Sequence, residues 1–269
     1  MFRFFLIAFS LLIISTESFA QTGGGLVISP KRVVFDEKQR IFEVLLANRG
    51  REKKRYRITV VNRAMKADGQ LEEAQTPAEG EYFAKDVLRL SPRQTVLGPK
   101  ETQKIKILGR LKGDSPEGEY RSHLLVQEIP DAAAAKNAEG LSGEDLGISV
   151  QAVFGLTIPV ILRKGDLSAE LSLSKPKILR EGEHTYLQVN VNRSGSRSVL
   201  GTASVWAGQQ RIGLLKNVAV YMSTPYREVS IKIDPERAKN LSGQNLRVTF
   251  GAEEENEDAP EASLSYTVP

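Results

Sequence analysis

The sequence predicts an all-β protein: two immunoglobulin-like β-sandwich domains in series, connected near Arg163. Three observations predict it. Short runs of alternating apolar and polar residues recur along the chain, which is the period of a half-buried strand and not of a helix. Turn chemistry separates them, at Asn48-Arg49-Gly50, Asp68-Gly69, Gly98-Pro99, Asp114-Ser115-Pro116, Ser194-Gly195-Ser196, Asp234-Pro235 and Ser242-Gly243. With 269 residues, 41% of them apolar, the chain is long enough for two cores, and with no cysteine those cores must hold without disulfides.

In the first series Leu26 to Phe35, Ile41 to Asn48, Tyr56 to Asn62, Val87 to Ser91, Thr102 to Leu108, Tyr120 to Glu128 and Ile148 to Leu162 read as strands, enough for one sandwich. The basic cluster from Arg49 to Arg57 reads as a solvated hairpin loop. The alanine run Ala132 to Ala135, followed by Gly140, Gly143 and Gly147, reads as a long loop. A second series starts after Arg163-Lys164-Gly165: Leu167 to Ser174, Thr185 to Asn192, Gly201 to Ala207, Arg211 to Val218, Tyr226 to Ile233, Leu246 to Ala252 and Ala262 to Val268. The acidic run Glu253 to Asp258 fits a hairpin loop between the last two. No sequence repeat relates the two series.

The N-terminus reads as an export signal. Met1-Phe2-Arg3 is a short positive start, Phe4 to Ile14 is an apolar run, and Ser18-Phe19-Ala20 presents small residues where a signal peptidase cleaves. The run is about half of what a transmembrane helix needs. The expected organisation is therefore a cleaved signal peptide over residues 1–20, a first domain over 21–163 and a second over 164–269, with no stable membrane insertion. Net charge is +4. Residues 21–163 hold 23 basic and 19 acidic side chains, against 13 and 13 afterwards, so the excess lies in the first domain. It is too small and too scattered to point to nucleic acid.

Catalytic motifs are absent: no GxSxG elbow, no Walker loop, no GxGxxG, and no paired carboxylates that the spacing supports. The histidines, His123 and His184, lack any HxxxH or HExxH context and read as ordinary strand-face residues, so neither a metal site nor a cofactor is expected. No enzymatic activity is expected either.

The unusual element is the last strand of the first series. From Ile148 the even positions are Ile148, Val150, Ala152, Phe154, Leu156 and Ile158, all apolar, while the odd ones are Ser149, Gln151, Val153, Gly155, Thr157 and Pro159. At roughly 3.3 Å per residue this alternation spans about 36 Å, longer than one sandwich usually needs. Alternation alone does not say whether the apolar face turns to the core or to a partner.

Four segments in order resemble the periplasmic chaperones of chaperone–usher pilus assembly. Ser29-Pro30-Lys31-Arg32-Val33-Val34-Phe35 is similar to that family's opening strand with its arginine, and Leu97-Gly98-Pro99-Lys100-Glu101-Thr102-Gln103-Lys104-Ile105-Lys106-Ile107 to a turn and strand in its middle. Gly118-Glu119-Tyr120-Arg121-Ser122-His123-Leu124, with Glu128-Ile129-Pro130 following, resembles its penultimate strand, and Ile158-Pro159-Val160-Ile161-Leu162-Arg163 the strand end that enters the second domain. The second domain is similar only in size and strand content.

The resemblance implies a binding mechanism. Pilin-like subunits of such systems lack a final strand, and the chaperone lends its own, main-chain bonds giving affinity and alternate side chains filling a groove. The donated side chains here would be Val150, Ala152 and Phe154, extended by Ile148 and Leu156. Arg32 would bind the subunit's C-terminal carboxylate, and the subunit would then pass to an outer-membrane usher. The family's second cation, a lysine, falls on Pro159, which leaves its replacement open. Pro159, lacking an N–H, is expected to interrupt the ladder. Arg163 occupies an interdomain arginine position, but the acid expected near Ser122 is replaced by Arg121, which argues against an interdomain ion pair. The long loop from Asp131 to Gly147, without cysteines, fits a nonclassical branch, and an exposed apolar edge permits a self-capping dimer. The competing reading is a secreted or surface β-sandwich adhesion or structural protein in which the same strand is core.

Overall fold

Apolar alternation becomes two stacks of sheets in the computed structural model, which describes residues 25–35, 40–130, 153–251 and 260–269. The first half runs through β1 (Leu26–Ser29), β2 (Val33–Phe35), β3 (Ile41–Asn48), β4 (Lys54–Val61), β5 (Arg63–Met65), β6 (Leu71–Glu73), β7 (Glu81–Tyr82), β8 (Leu88–Ser91), β9 (Gln94–Leu97), β10 (Thr102–Gly109), β11 (Gly118–Ile129) and β12 (Gly155–Lys164). One sheet has the order β1-β3-β10-β8; the facing sheet has β2-β12-β11-β4-β9, with β7 beside β11. Inward residues of both sheets, among them Val33, Val44, Leu46, Ile58, Ile105, Ile107, Leu124, Val126 and Val160, form one core.

The second half runs through β13 (Ala169–Glu181), β14 (His184–Gly195), β15 (Val199–Ala207), β16 (Gln210–Val220), β17 (Tyr226–Lys232), the one-turn helix α1 (Pro235–Ala238), β18 (Asn245–Gly251) and β19 (Ala262–Thr267). Its sheets have the orders β13-β14-β17 and β16-β15-β18-β19, closing over Leu187, Val189, Val191, Val205, Ile231, Val248 and Phe250. A side chain at Gly201 would run into the Gly251 carbonyl and the Phe250 ring, so only glycine lets β15 lie against β18 there. Among the described residues no helix is long and apolar enough to cross a membrane.

Four expectations change. The run Leu26 to Phe35 is two strands in opposite sheets: the ladder of β1 on β3 ends at Ser29, Pro30 has no N–H with which to continue it, and the chain crosses over so that β2 pairs parallel with β12. The cluster Arg49 to Arg57 is no hairpin loop, because β3 and β4 belong to different sheets; it is a corner between them plus the start of β4. Pro159 does not interrupt the β11–β12 ladder, which runs in one register from Gln127↔Gly155 to Gly118↔Lys164; the break falls on the other edge, where β2 pairing stops at Val160. Residues 63–73, read from the sequence only as a turn at Asp68-Gly69, form the β5–β6 hairpin. Ile148, Val150 and Ala152, and the acidic run Glu253 to Asp258, lie outside the described residues. The strands flanking that run, β18 and β19, are antiparallel neighbours.

Candidate functional site

Two features of β12 and β11 stand out, one at each end. At the far end the even positions of β12 leave the core. Leu162, Val160 and Ile158 are buried, Ile158 at 5%, whereas Leu156 and Phe154 on the same face are 39% and 45% exposed. Over Gly155–Pro159 the strand pairs with β11 on one side, and β2 covers only Val160 to Leu162 on the other. Among the described residues, therefore, an unpaired main-chain edge coincides with two large exposed apolar side chains. Both the hydrogen-bonding groups and the apolar surface of a further strand would be satisfied there.

At the near end the odd positions of both strands turn away from the first core toward the second sandwich. Cross-strand register lays them out in rows: His123 opposite Pro159, Arg121 opposite Ile161, and Glu119 opposite Arg163, with Glu81 of β7 beside Glu119. Since Val33 pairs with Val160, Arg32 stands beside Pro159 and completes the row of His123. An outward strand face is ordinarily wet, yet Glu119, Arg121 and His123 are all buried at 1% exposure or less. The second sandwich covers them with Ser198, ahead of β15, and Tyr221, after β16.

Buried charges must be paired to be tolerated, and here most are. Arg121 Nε donates to Glu81 Oε1 at 2.6 Å, its Nη1 donates to the Arg63 carbonyl at 3.0 Å, and its guanidinium lies 4.2 Å from the Tyr221 ring centroid. Arg163 Nε donates to Glu119 Oε2 at 3.1 Å. Arg163 therefore has an acidic partner, Glu119 on the adjacent strand, but both lie in the first domain, and no ion pair joins the two domains among the described residues. Hydrogen bonds tie this pair to the second domain: Arg163 Nη2 donates to the Ser198 carbonyl and the Ser198 amide donates to Glu119 Oε2, both at 3.1 Å. The β5–β6 hairpin adds two further ties, from the Met65 amide to Ser223 Oγ at 2.8 Å and from the Glu228 amide to the Ala67 carbonyl at 2.6 Å.

Arg32 is a cation without a carboxylate partner among the described residues. Its Nη2 reaches Ser198 Oγ at only 3.5 Å, and Nη1 is buried without a hydrogen-bond partner among the described residues. Burial pushes its pKa down, Tyr221 and Glu119 push it back up, and Arg163 and Arg121 oppose it as like charges. With Arg121 matched to Glu81 and Arg163 to Glu119, Arg32 has no carboxylate partner among the described residues, and Arg63, Arg193 and Arg227 likewise hold buried nitrogens without a partner. A guanidinium with a free edge presents parallel donors to a carboxylate.

His123 is also unsatisfied. Its ring meets Tyr221 edge to face at 5.9 Å between centroids, and neither ring nitrogen has a partner among the described residues. Burial, reinforced by Arg121 and Arg63, holds its pKa down to about 3. An unfolded chain takes up a proton here as the pH falls through about 6.5, whereas the folded protein stays neutral until about 3, so stability falls as the pH drops between those values. We predict a loss from this group of about 1.4 kcal/mol per pH unit below roughly 6.5. Denaturant melts of the wild type and of His123→Phe at pH 7 and pH 5 check it: the deficit at the lower pH should shrink in the variant.

Sequence reasoning placed Arg32, Arg163, Phe154 and Leu156 among the site residues, and the structure puts the first two in this cleft and the last two at the open strand end. It missed Glu119, Ser198, Tyr221 and His123. The available signal was the triplet Glu119, Arg121, His123 at period two on a strand whose other face is core.

No protein-family model and no curated protein sequence matches this chain. Solved structures do. The YadV chaperone is 16% identical, with 90% of this chain and 100% of that one covered and a TM-score of 0.49. A chain of the CsuC–CsuE chaperone–tip adhesion subunit pre-assembly complex, from archaic chaperone–usher Csu pili of Acinetobacter baumannii, is 10% identical over 91% and 99% with a TM-score of 0.46. The Pseudomonas aeruginosa CupB2 chaperone is 13% identical over 90% and 100% with a TM-score of 0.43.

Proposed function

We propose that this protein is an exported, periplasmic assembly chaperone without enzymatic activity. It lends the open edge of β12 to pilin-like subunits that lack a strand, anchors their C-terminal carboxylate at Arg32, and hands them to an outer-membrane usher. The observation that carries this reading is the end of β12, where an unpaired edge and the exposed side chains of Phe154 and Leu156 continue the face that Ile158 and Val160 bury in the core. A strand that were simply core would not leave its apolar face uncovered. The same β-strand addition is the reading the sequence segments around Arg32 and Ile158 support by resemblance. Arg32, a buried cation without a carboxylate partner among the described residues, supplies the second contact.

The test is co-expression with a small secreted subunit encoded beside this gene. Arg32→Ala is expected to abolish co-purification of the subunit while leaving the melting temperature unchanged or slightly raised, since it removes a buried cation that repels Arg163 and Arg121. Undiminished co-purification would remove Arg32 from the mechanism.

A further inference from the structure

We infer that His123 is a second ligand for the carboxylate that Arg32 binds, donating an imidazole N–H from across Pro159. The inference rests on the anchoring reading above and adds a residue to it. His123, Pro159 and Arg32 occupy one row of neighbouring strands, on the face turned to the second sandwich. Two strand spacings separate the outer pair, roughly 10 Å between their Cα atoms. An arginine reaching inward, a carboxylate and an imidazole together bridge that distance, because each N–H···O bond takes about 2.9 Å. Between them stands a proline, whose short apolar ring offers no competing donor.

Two of the buried groups without partners among the described residues lie on the row of Pro159. Arg32 Nη1 is a buried donor without an acceptor, and both nitrogens of the buried His123 ring lack partners among the described residues. Buried polar groups are ordinarily satisfied, and groups that are not mark a missing partner. Tyr221 flanks both, touching the His123 ring edge to face and interacting electrostatically with Arg32. The other ionisable groups acting on His123 are Arg121 and Arg63, both cationic. An imidazole in that field stays neutral, so it brings one N–H donor and no extra charge to repel Arg32. A carboxylate has two acceptor oxygens, one for Arg32 Nη1–H and one for the imidazole N–H. A C-terminal amide offers one oxygen and brings N–H groups that clash with donors.

The probe is a ten-residue peptide of alternating valine and serine ending in a free carboxylate, together with its C-terminal amide twin, added to the full chain. In the wild type the carboxylate peptide should bind at least about tenfold tighter than the amide, as expected for charge-assisted bonds. It alone should shift the ring nitrogen resonances of His123 in protein labelled with ¹⁵N-histidine. His123→Phe, which keeps the ring's shape, should lose most of the discrimination, and His123→Gln, which keeps an N–H, should retain it. Unmoved resonances, a His123→Phe that discriminates like the wild type, or a His123→Gln that loses as much as His123→Phe overturns the inference. If Arg32→Ala still abolishes discrimination in those cases, anchoring by Arg32 stands without His123; if the wild type does not discriminate at all, both fall.

Discussion

A chain carrying Phe154→Glu and Leu156→Glu together is expected to melt like the wild type and to lose its pilin-like subunit. Leu156 is 39% and Phe154 45% exposed at the end of β12, and neither packs against the first core, so charging them removes no core contact of the free protein. In a complex formed by strand addition they would be buried. Full burial of an exposed Leu or Phe side chain is worth about 1.5–3 kcal/mol, and with about two fifths of each still to be buried, losing both costs about 1–3 kcal/mol before the penalty of burying carboxylates, or on the order of 10 to 10² in affinity. Co-purification and a competition assay measure the loss. Val153, also exposed but on the opposite parity, is the control: Val153→Glu should leave subunit binding unchanged. Unfolding of the double variant would mean that this end of β12 is core after all. A folded double variant with full subunit yield would end the strand-donation reading.

Arg121→Met is expected to be the most destabilising single change in the cleft. Arg121 is among the largest fully buried side chains, and its partner Glu81 is buried with it. Removing the cation strands a carboxylate, and breaking a buried pair from one side costs about 3–5 kcal/mol. The Glu81 carboxyl is already pushed up by burial and held back by Arg121. Without Arg121 it rises further and takes up a proton in the folded state, so the variant's deficit relative to wild type should narrow as the pH is lowered and widen as it is raised. The double variant Arg121→Met, Glu81→Leu replaces the pair by apolar groups and should recover most of the loss. Urea melts of the two single variants and the double variant give the coupling. A double variant as unstable as Arg121→Met alone would show that the Tyr221 and Arg63 contacts, and not the ion pair, hold the cleft.

Much of this was legible because a strand writes its faces into the sequence at period two. The even positions of β12 and the alternation in β3, β10, β14 and β18 are local facts, so most of the expected strands lie where alternation put them. The sites that failed are those where the outcome depends on another strand. Leu26 to Phe35 alternates as one strand, but Pro30 ends its ladder and sends the second half to the opposite sheet. Arg163 lacked a visible acid because the expected partner position carries Arg121, and Glu119, one row away, became legible only from the β11–β12 register. Residue type also misled at His123, which is buried with its ring edge to face against Tyr221 of the second sandwich.

By itself the sequence determined the all-β class, the run of strands, and a last strand of the first sandwich with one apolar face, because side-chain alternation and turn residues act within a few positions of the chain. Only the tertiary structure decided which part of that face the core consumes and which part it leaves open at Leu156 and Phe154. It alone decided that Glu119, Arg121 and His123, on a face that alternation assigns to solvent, are buried beneath Ser198 and Tyr221, with Arg32 beside them lacking a carboxylate partner among the described residues. The physical reason is the same in both cases. Burial and charge pairing are properties of what packs against a strand, and here the packing partner comes from 79 residues away between Glu119 and Ser198 and 166 residues away between Arg32 and Ser198.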